Sequence, residues 1–173
     1  MRRSLGGKSR KLKRVPSSGA EFPCWRAVWH SKRSCSEGAS GALPKIKLTT
    51  VYVDDQEKAL RFYTEVPGLV KKADFRQGPY RWLTVASSEE PDGTQLQLAL
   101  NNNGAANAFQ KALFQQSQPA AMFFTDDVQG DYERIKSRGG EFTMSPTDVA
   151  ASTIAMLKDT CGNLLQLTQL KGW

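Results

Sequence analysis

Residues 45–173 are predicted to form an α+β domain in which two βαβββ modules make an open, curved mixed sheet around a cleft. Three observations predict it. A pattern of strand, Asp-Asp, helix and glycine turn occurs twice, its landmarks (Asp54-Asp55 and Asp126-Asp127, Gly68 and Gly140) offset by 72 residues. Strand-like runs follow each copy. The segment also carries fourteen basic and fifteen acidic residues, a nearly neutral balance with no basic stripe to follow a phosphate backbone.

Module one is placed at 45–102. Residues 46–53 mix β-branched and aromatic types, as a strand requires. Asp54 or Asp55 caps the helix that follows, with Glu57 near its positive end. Ala59, Phe62, Tyr63 and Val66 fall at i, i+3, i+4 and i+7 and form one apolar face. Tyr80 to Ser87 and the alternating Gln95 to Leu100 read as strands. A bridge at 103–117 contains an Ala-rich stretch, 105–115, expected to be helical. Module two, 118–170, opens with a strand near Ala120. Val128, Tyr132 and Ile135 then repeat the helical face, which Gly139-Gly140 ends. Thr153–Leu157 and Leu164–Leu170 are strands joined by the turn Asp159 to Asn163.

Residues 1–44 differ in kind. They hold ten Lys and Arg against Glu21 and Glu37, lack periodicity and are rich in Ser and Gly, so disorder is expected. Three readings stand: an organellar transit peptide, a nucleic-acid or membrane-binding arm around Lys8, Arg10, Lys11, Lys13 and Arg14, or an extension upstream of the working start. For the last, no methionine lies between Met1 and Met122, and Leu43 would mark a non-AUG start. Cys24 and Cys35 fall in this segment and Cys161 in the body. No disulfide framework or cysteine zinc site can therefore be drawn within the body, and a reducing cytoplasm is the expected compartment. No run approaches the roughly 18 apolar residues of a membrane span.

VDDQEKALRFYTEVPG in the first half and DTCGNLLQL in the second carry a family resemblance. The pattern Asp-x-x-x-Ala-x-x-Phe-Tyr-x-x-x-x-Gly from Asp55, with the late Asp-x-x-Gly-Asn turn, resembles the vicinal-oxygen-chelate superfamily of glyoxalases, bleomycin-resistance proteins and extradiol dioxygenases. Pro67 departs from the leucine common before that glycine. The resemblance implies one metal ligand, usually His, from the first strand of each half and one, usually Glu, from the last. The matching positions are Leu48, Gln97, Ala120 and Gln166, which offer neither carboxylate nor imidazole. The metal site is therefore expected to be lost, and no cofactor is expected. His30, in the N-terminal extension, is the one histidine of the chain, so residues 45–173 contain no His ligand, no His base and no Ser-His or Cys-His pair.

Alternation sends Leu96, Leu98 and Leu100 to one face of their strand and Gln95, Gln97 and Ala99 to the other. Leu165 and Leu167 likewise oppose Gln166 and Thr168. The leucines should pack on the helices and leave the glutamines facing the cleft, either simply solvated or orienting a polar small molecule. The candidate ligand-binding residues are Thr50, Gln97, Met122, Phe124 and Gln166, with Met156 nearby, and no catalytic residue is assigned. Arg81, between Tyr80 and Trp82, would pair an anionic ligand if it faced the cleft and is a surface residue otherwise. Cys161 reads as a small turn residue rather than a nucleophile. The leading reading is a metal-free protein that holds a small amphipathic molecule, similar to the drug-sequestering members of the superfamily. The alternative is a lyase, isomerase or dioxygenase-type enzyme with a degenerate metal site, for which Tyr63 or Glu133 would have to supply an acid or base. An interaction module that pairs by exchanging halves is a third. A homodimer is expected, and neither a membrane nor a nucleic acid is an expected partner.

Overall fold

The computed structural model describes residues 43–172, and the expectations for the basic extension, including its disorder and the role of its cysteines and histidine, lie outside the described residues. The element order is β1 (Leu48–Val53), α1 (Gln56–Glu65), β2 (Val70–Gln77), β3 (Tyr80–Ala86), β4 (Gln95–Leu100), α2 (Gly104–Gln115), β5 (Ala121–Phe124), α3 (Val128–Ser137), β6 (Glu141–Val149), β7 (Ser152–Lys158) and β8 (Leu164–Leu170). Two four-stranded mixed sheets result, with orders β1-β4-β3-β2 and β5-β8-β7-β6. In each, the first strand of a βαβββ unit pairs in parallel with its last, Thr50 opposite Gln97 and Met122 opposite Gln166, and the other pairings are antiparallel.

Local chemistry sets the helix starts. Asp55 is the N-cap of α1, accepting from the backbone N–H groups of Glu57 (2.8 Å) and Lys58 (3.0 Å), while Asp54 pairs with the Lys58 ammonium. Asp127 caps α3 by accepting from Gly130 N–H at 2.9 Å. The side chain of Gln56, in the first turn of α1, donates to the carbonyls of Leu98 (2.7 Å) and Arg81 (3.1 Å), which fixes the helix on its sheet.

One face of each sheet supplies the core. Val51, Val53, Leu83, Val85, Leu96 and Leu98 from the first sheet join Ala59, Phe62 and Tyr63 of α1. Ala155, Leu157, Leu165 and Leu167 from the second join Val128 and Ile135 of α3, and all belong to one apolar cluster. Each Val, Leu, Ile or Phe among them, fully buried, contributes roughly 1.5–3 kcal/mol of transfer free energy. This is the leucine face that alternation assigns to the helices.

The modules are tied together on that side by polar groups. Tyr63 of α1 donates to Asp159 Oδ2 (3.1 Å), and the same carboxylate accepts from the N–H groups of Cys161 and Asn163 and from Asn163 Nδ2. Asn163 Nδ2 and Gln110 Nε2 both donate to the carbonyl of Tyr52 at 2.9 Å, and Gln110 also donates to Cys161 O at 2.8 Å. Asp159, Asn163 and Gln110 are buried, and none of their polar atoms lacks a partner.

Arg81 belongs to this helix side. It alternates with Trp82, donates through Nε and Nη2 to both oxygens of Asp74 at 2.8 Å, and reaches Glu57 with Nη1 at 2.8 Å. It is thereby committed to a structural ion pair and not to an anionic ligand. The hydrogen bonds from Arg81 pull the Asp74 carboxyl down to about 2. Because the folded-state value lies below the ordinary carboxylate range, the pair's stabilisation is complete above about pH 4. It is lost as the pH falls toward 2. Asp74→Asn is expected to cost about 1 kcal/mol at pH 7 and progressively less as the pH falls through about 2, so thermal melts of the two proteins should converge on acidification. Curves that stay parallel across that window would contradict the pairing.

Candidate functional site

The faces opposite the core are exposed in part: Met122 and Phe124 are exposed there, whereas Thr84, Met156 and Thr168 are buried. On the first sheet Thr50, exposed, and Gln97, half-buried, sit side by side, the Thr50 hydroxyl donating to Gln97 Oε1 at 3.1 Å. One position along, the Thr84 hydroxyl donates to Gln95 Oε1 at 2.8 Å. A threonine hydroxyl serves either end of an amide, so Gln95 and Gln97 are free to turn a donor or an acceptor outward. Trp82 stacks on Phe75 across the β2–β3 pairing, with centroids 6.1 Å apart and planes 19° apart. Tyr52 meets Phe109 of α2 edge-on at 6.4 Å.

On the second sheet Met122 lies opposite Gln166 and Phe124 opposite Thr168, with Met156 on the other side of Gln166. Gln166 donates to the Thr168 hydroxyl at 3.0 Å. Met122 and Phe124 are 55% and 66% exposed. The sequence-predicted residues therefore form two groups, Thr50 with Gln97 and Met122, Phe124 with Gln166, one on each sheet. Among the described residues no hydrogen bond or ring contact joins one group to the other, and no strand of the first sheet pairs with a strand of the second. Two solvent-open concavities of about 620 and 420 Å³ lie elsewhere, flanking α1 and α2 where each meets the β7–β8 turn, and neither is lined by these five residues.

Of the four positions matching the metal ligands, Leu48 is partly exposed on β1, Ala120 packs against the core just before β5, and Gln97 and Gln166 are the amides already described. An aliphatic, a methyl and two neutral amides do not suit a divalent cation, which takes deprotonated carboxylates or imidazoles. Among the described residues no group of three or more His, Cys, Asp or Glu side chains is placed to hold a metal ion. The acid–base candidates fare no better. Tyr63 is fully buried, and burial together with the Asp159 carboxylate raises its phenol well above the ordinary value. Glu133 is an exposed helix residue that accepts from Gln129. Burial pushes the Cys161 thiol up to about 12, so it carries no thiolate at neutral pH.

The chain belongs to the glyoxalase/bleomycin resistance protein/dioxygenase superfamily, whose model matches residues 45–167. Among relatives it is 46% identical to Bacillus subtilis YurT over 125 residues, 72% of this chain and 98% of that protein. A Vibrio cholerae protein named a probable lactoylglutathione lyase is 29% identical over 131 residues, 73% of this chain and 91% of that one. Among solved structures, TnmS3 of Streptomyces sp. CB03234, described as an antibiotic binding protein, superposes with a TM-score of 0.61 at 29% identity, over 75% of this chain and 98% of that chain. Among the described residues no helix is long and apolar enough to cross a membrane.

Proposed function

We propose that this chain is a metal-free small-molecule-binding protein whose ligand, a small amphipathic molecule, lies against Thr50, Gln97, Met122, Phe124 and Gln166. The observation that carries this reading is the donor set at Leu48, Gln97, Ala120 and Gln166, which removes the Lewis acid on which the superfamily's lyase and dioxygenase chemistry depends. The likeness to an antibiotic binding protein supports it. So do the unusually exposed Met122 and Phe124, flexible and flat apolar groups suited to adaptable contact. A homodimer belongs to the same reading: a second copy laid over the open faces would cover these side chains and bring the two groups of residues into a shared site. We place this chemistry in residues 45–173, in the cytoplasm, with residues 1–44 as a separate extension.

An enzymatic role is the second reading, supported by the relatives named as probable lactoylglutathione lyases. Metal retention separates the two. The full chain carrying Cys24→Ser, His30→Ala and Cys35→Ser, incubated with Zn²⁺, Ni²⁺, Mn²⁺ and Fe²⁺ and freed of excess, is expected to retain well under one-tenth equivalent by elemental analysis. Retention of about one equivalent per chain or per dimer would overturn the metal-free reading and favour the enzyme.

A further inference from the structure

The charged residues of this domain avoid the strands that carry the candidate site. Residues 45–173 contain fourteen bases and fifteen acids, yet β1 (LTTVYV), β4 (QLQLAL), β5 (AMFF) and β8 (LLQLTQL) contain none. The flanking strands repeat the pattern. Arg81, the one charge on β3, is turned to the helix side and held by Asp74 and Glu57. Lys158, the one charge on β7, is its last residue and pairs with Glu141 at 3.2 Å. A charged group laid on these six strands would give up hydration and find only the paired Arg81 and Lys158, the other charges of the sheets lying on the edge strands β2 and β6.

What the faces do present is aromatic and amide surface. Phe75 is stacked on Trp82 and is itself 45% exposed, Tyr52 and Phe109 meet edge-on, and Phe124 stands out from the second sheet. Flat π-surfaces of this kind match flat aromatic ligands in offset stacking. Gln95 and Gln97, each bonded to a threonine that accommodates either amide orientation, supply hydrogen bonds to a neutral hydroxyl or carbonyl. We propose that the open faces select an uncharged, flat aromatic molecule bearing hydroxyl or carbonyl groups, and discriminate against anions and cations built on the same skeleton. This rests on the binding function proposed above and names its ligand class. Nucleotides and peptide conjugates with free carboxylates fall outside that class.

Three fluorescent probes on one skeleton test it: pyrenemethanol, pyrenesulfonate and pyrenemethylamine, titrated against the full chain in about 0.5 M NaCl so that the basic residues 1–44 are screened. Pyrenemethanol is expected to bind at least tenfold more tightly than either charged probe. Gln97→Lys should reverse the order, weakening pyrenemethanol and raising pyrenesulfonate affinity at least tenfold. Adamantanemethanol, neutral but not flat, should fail to displace pyrenemethanol. Charged probes that bind as tightly as the neutral one would overturn the selection by charge and leave the binding function standing. Efficient displacement by adamantanemethanol would overturn the flat-aromatic class alone. Failure of all three probes to bind would overturn this inference and leave the binding function to the metal-retention test.

Discussion

Asp159→Ala is expected to destabilise the domain by about 3–5 kcal/mol, because several buried donors lose their acceptor at once. Asp159 is 3% exposed and receives hydrogen bonds from Tyr63, from the backbone N–H groups of Cys161 and Asn163, and from Asn163 Nδ2. Removing the carboxylate leaves these donors without their acceptor at the junction between the modules. At roughly 3 °C per kcal/mol for a domain of this size, Tm should fall by roughly 10–15 °C in a calorimetric scan. Tyr63→Phe removes a single bond and should cost only about 1 kcal/mol. That ordering tests the account. If Asp159→Ala melted within a few degrees of the parent, the turn could not be what holds the modules together.

Gly140→Ala is the second large effect, expected at about 2–3 kcal/mol from overpacking. A β-carbon at this position would lie 2.5 Å from Ile135 Cγ2, 2.9 Å from the Ile135 carbonyl oxygen and 3.1 Å from Val66 Cγ1. Ile135 is fully buried, and the carbonyl is fixed because it accepts from Gly140 N–H at 3.0 Å, so neither neighbour yields cheaply. Denaturant titration should show a lower midpoint at unchanged slope. The counterpart in the first module, Gly68, is needed for another reason: its φ of +89° is a backbone conformation that side chains rarely adopt. An equal spacing in the sequence thus hides two different physical demands. A Gly140→Ala protein as stable as the parent would mean that α1 and α3 sit further apart than this packing requires.

Elements whose signal is local were legible in the sequence. The Asp-Asp pairs, the helical apolar stripes and the alternation of Gln95–Leu100 each follow from a few adjacent residues, and the family resemblance supplied the order of the rest. The two strands that sequence reasoning left unplaced, β2 and β6, lie at sheet edges, opposite β1 and β5 at the other edges. β2 carries Lys71, Lys72, Asp74 and Arg76 and is mostly exposed, and β6, although its burial alternates over most of its length, contains Pro146 and a broken register, so neither carries a plain strand signal. The candidate site divides in the same way. Facing was readable for Gln97 and Gln166, flanked by leucines, but not for Arg81, whose partners Asp74 and Glu57 lie on other elements. The Tyr63–Asp159 contact spans 96 residues. Nothing in either local sequence announces it, which is why Tyr63 looked like a candidate base rather than a buried tie.

The parallel pairing of first and last strands also constrains the order in which the chain assembles. The β2–β3 and β6–β7 hairpins close through short turns and need no other part of the molecule to begin. Joining Thr50 to Gln97, or Met122 to Gln166, instead requires an entire module to be threaded between the two partners. The entropy of closing so long a loop is met before any of its contacts contribute. Each sheet therefore has three strands joined by local antiparallel pairings and a first strand added by a slow, long-range one. The slow pairings are those of β1 with β4 and of β5 with β8, since β8 also closes on β7 through a short turn, so the surface on which the proposed ligand would rest is completed only when β1 and β5 dock.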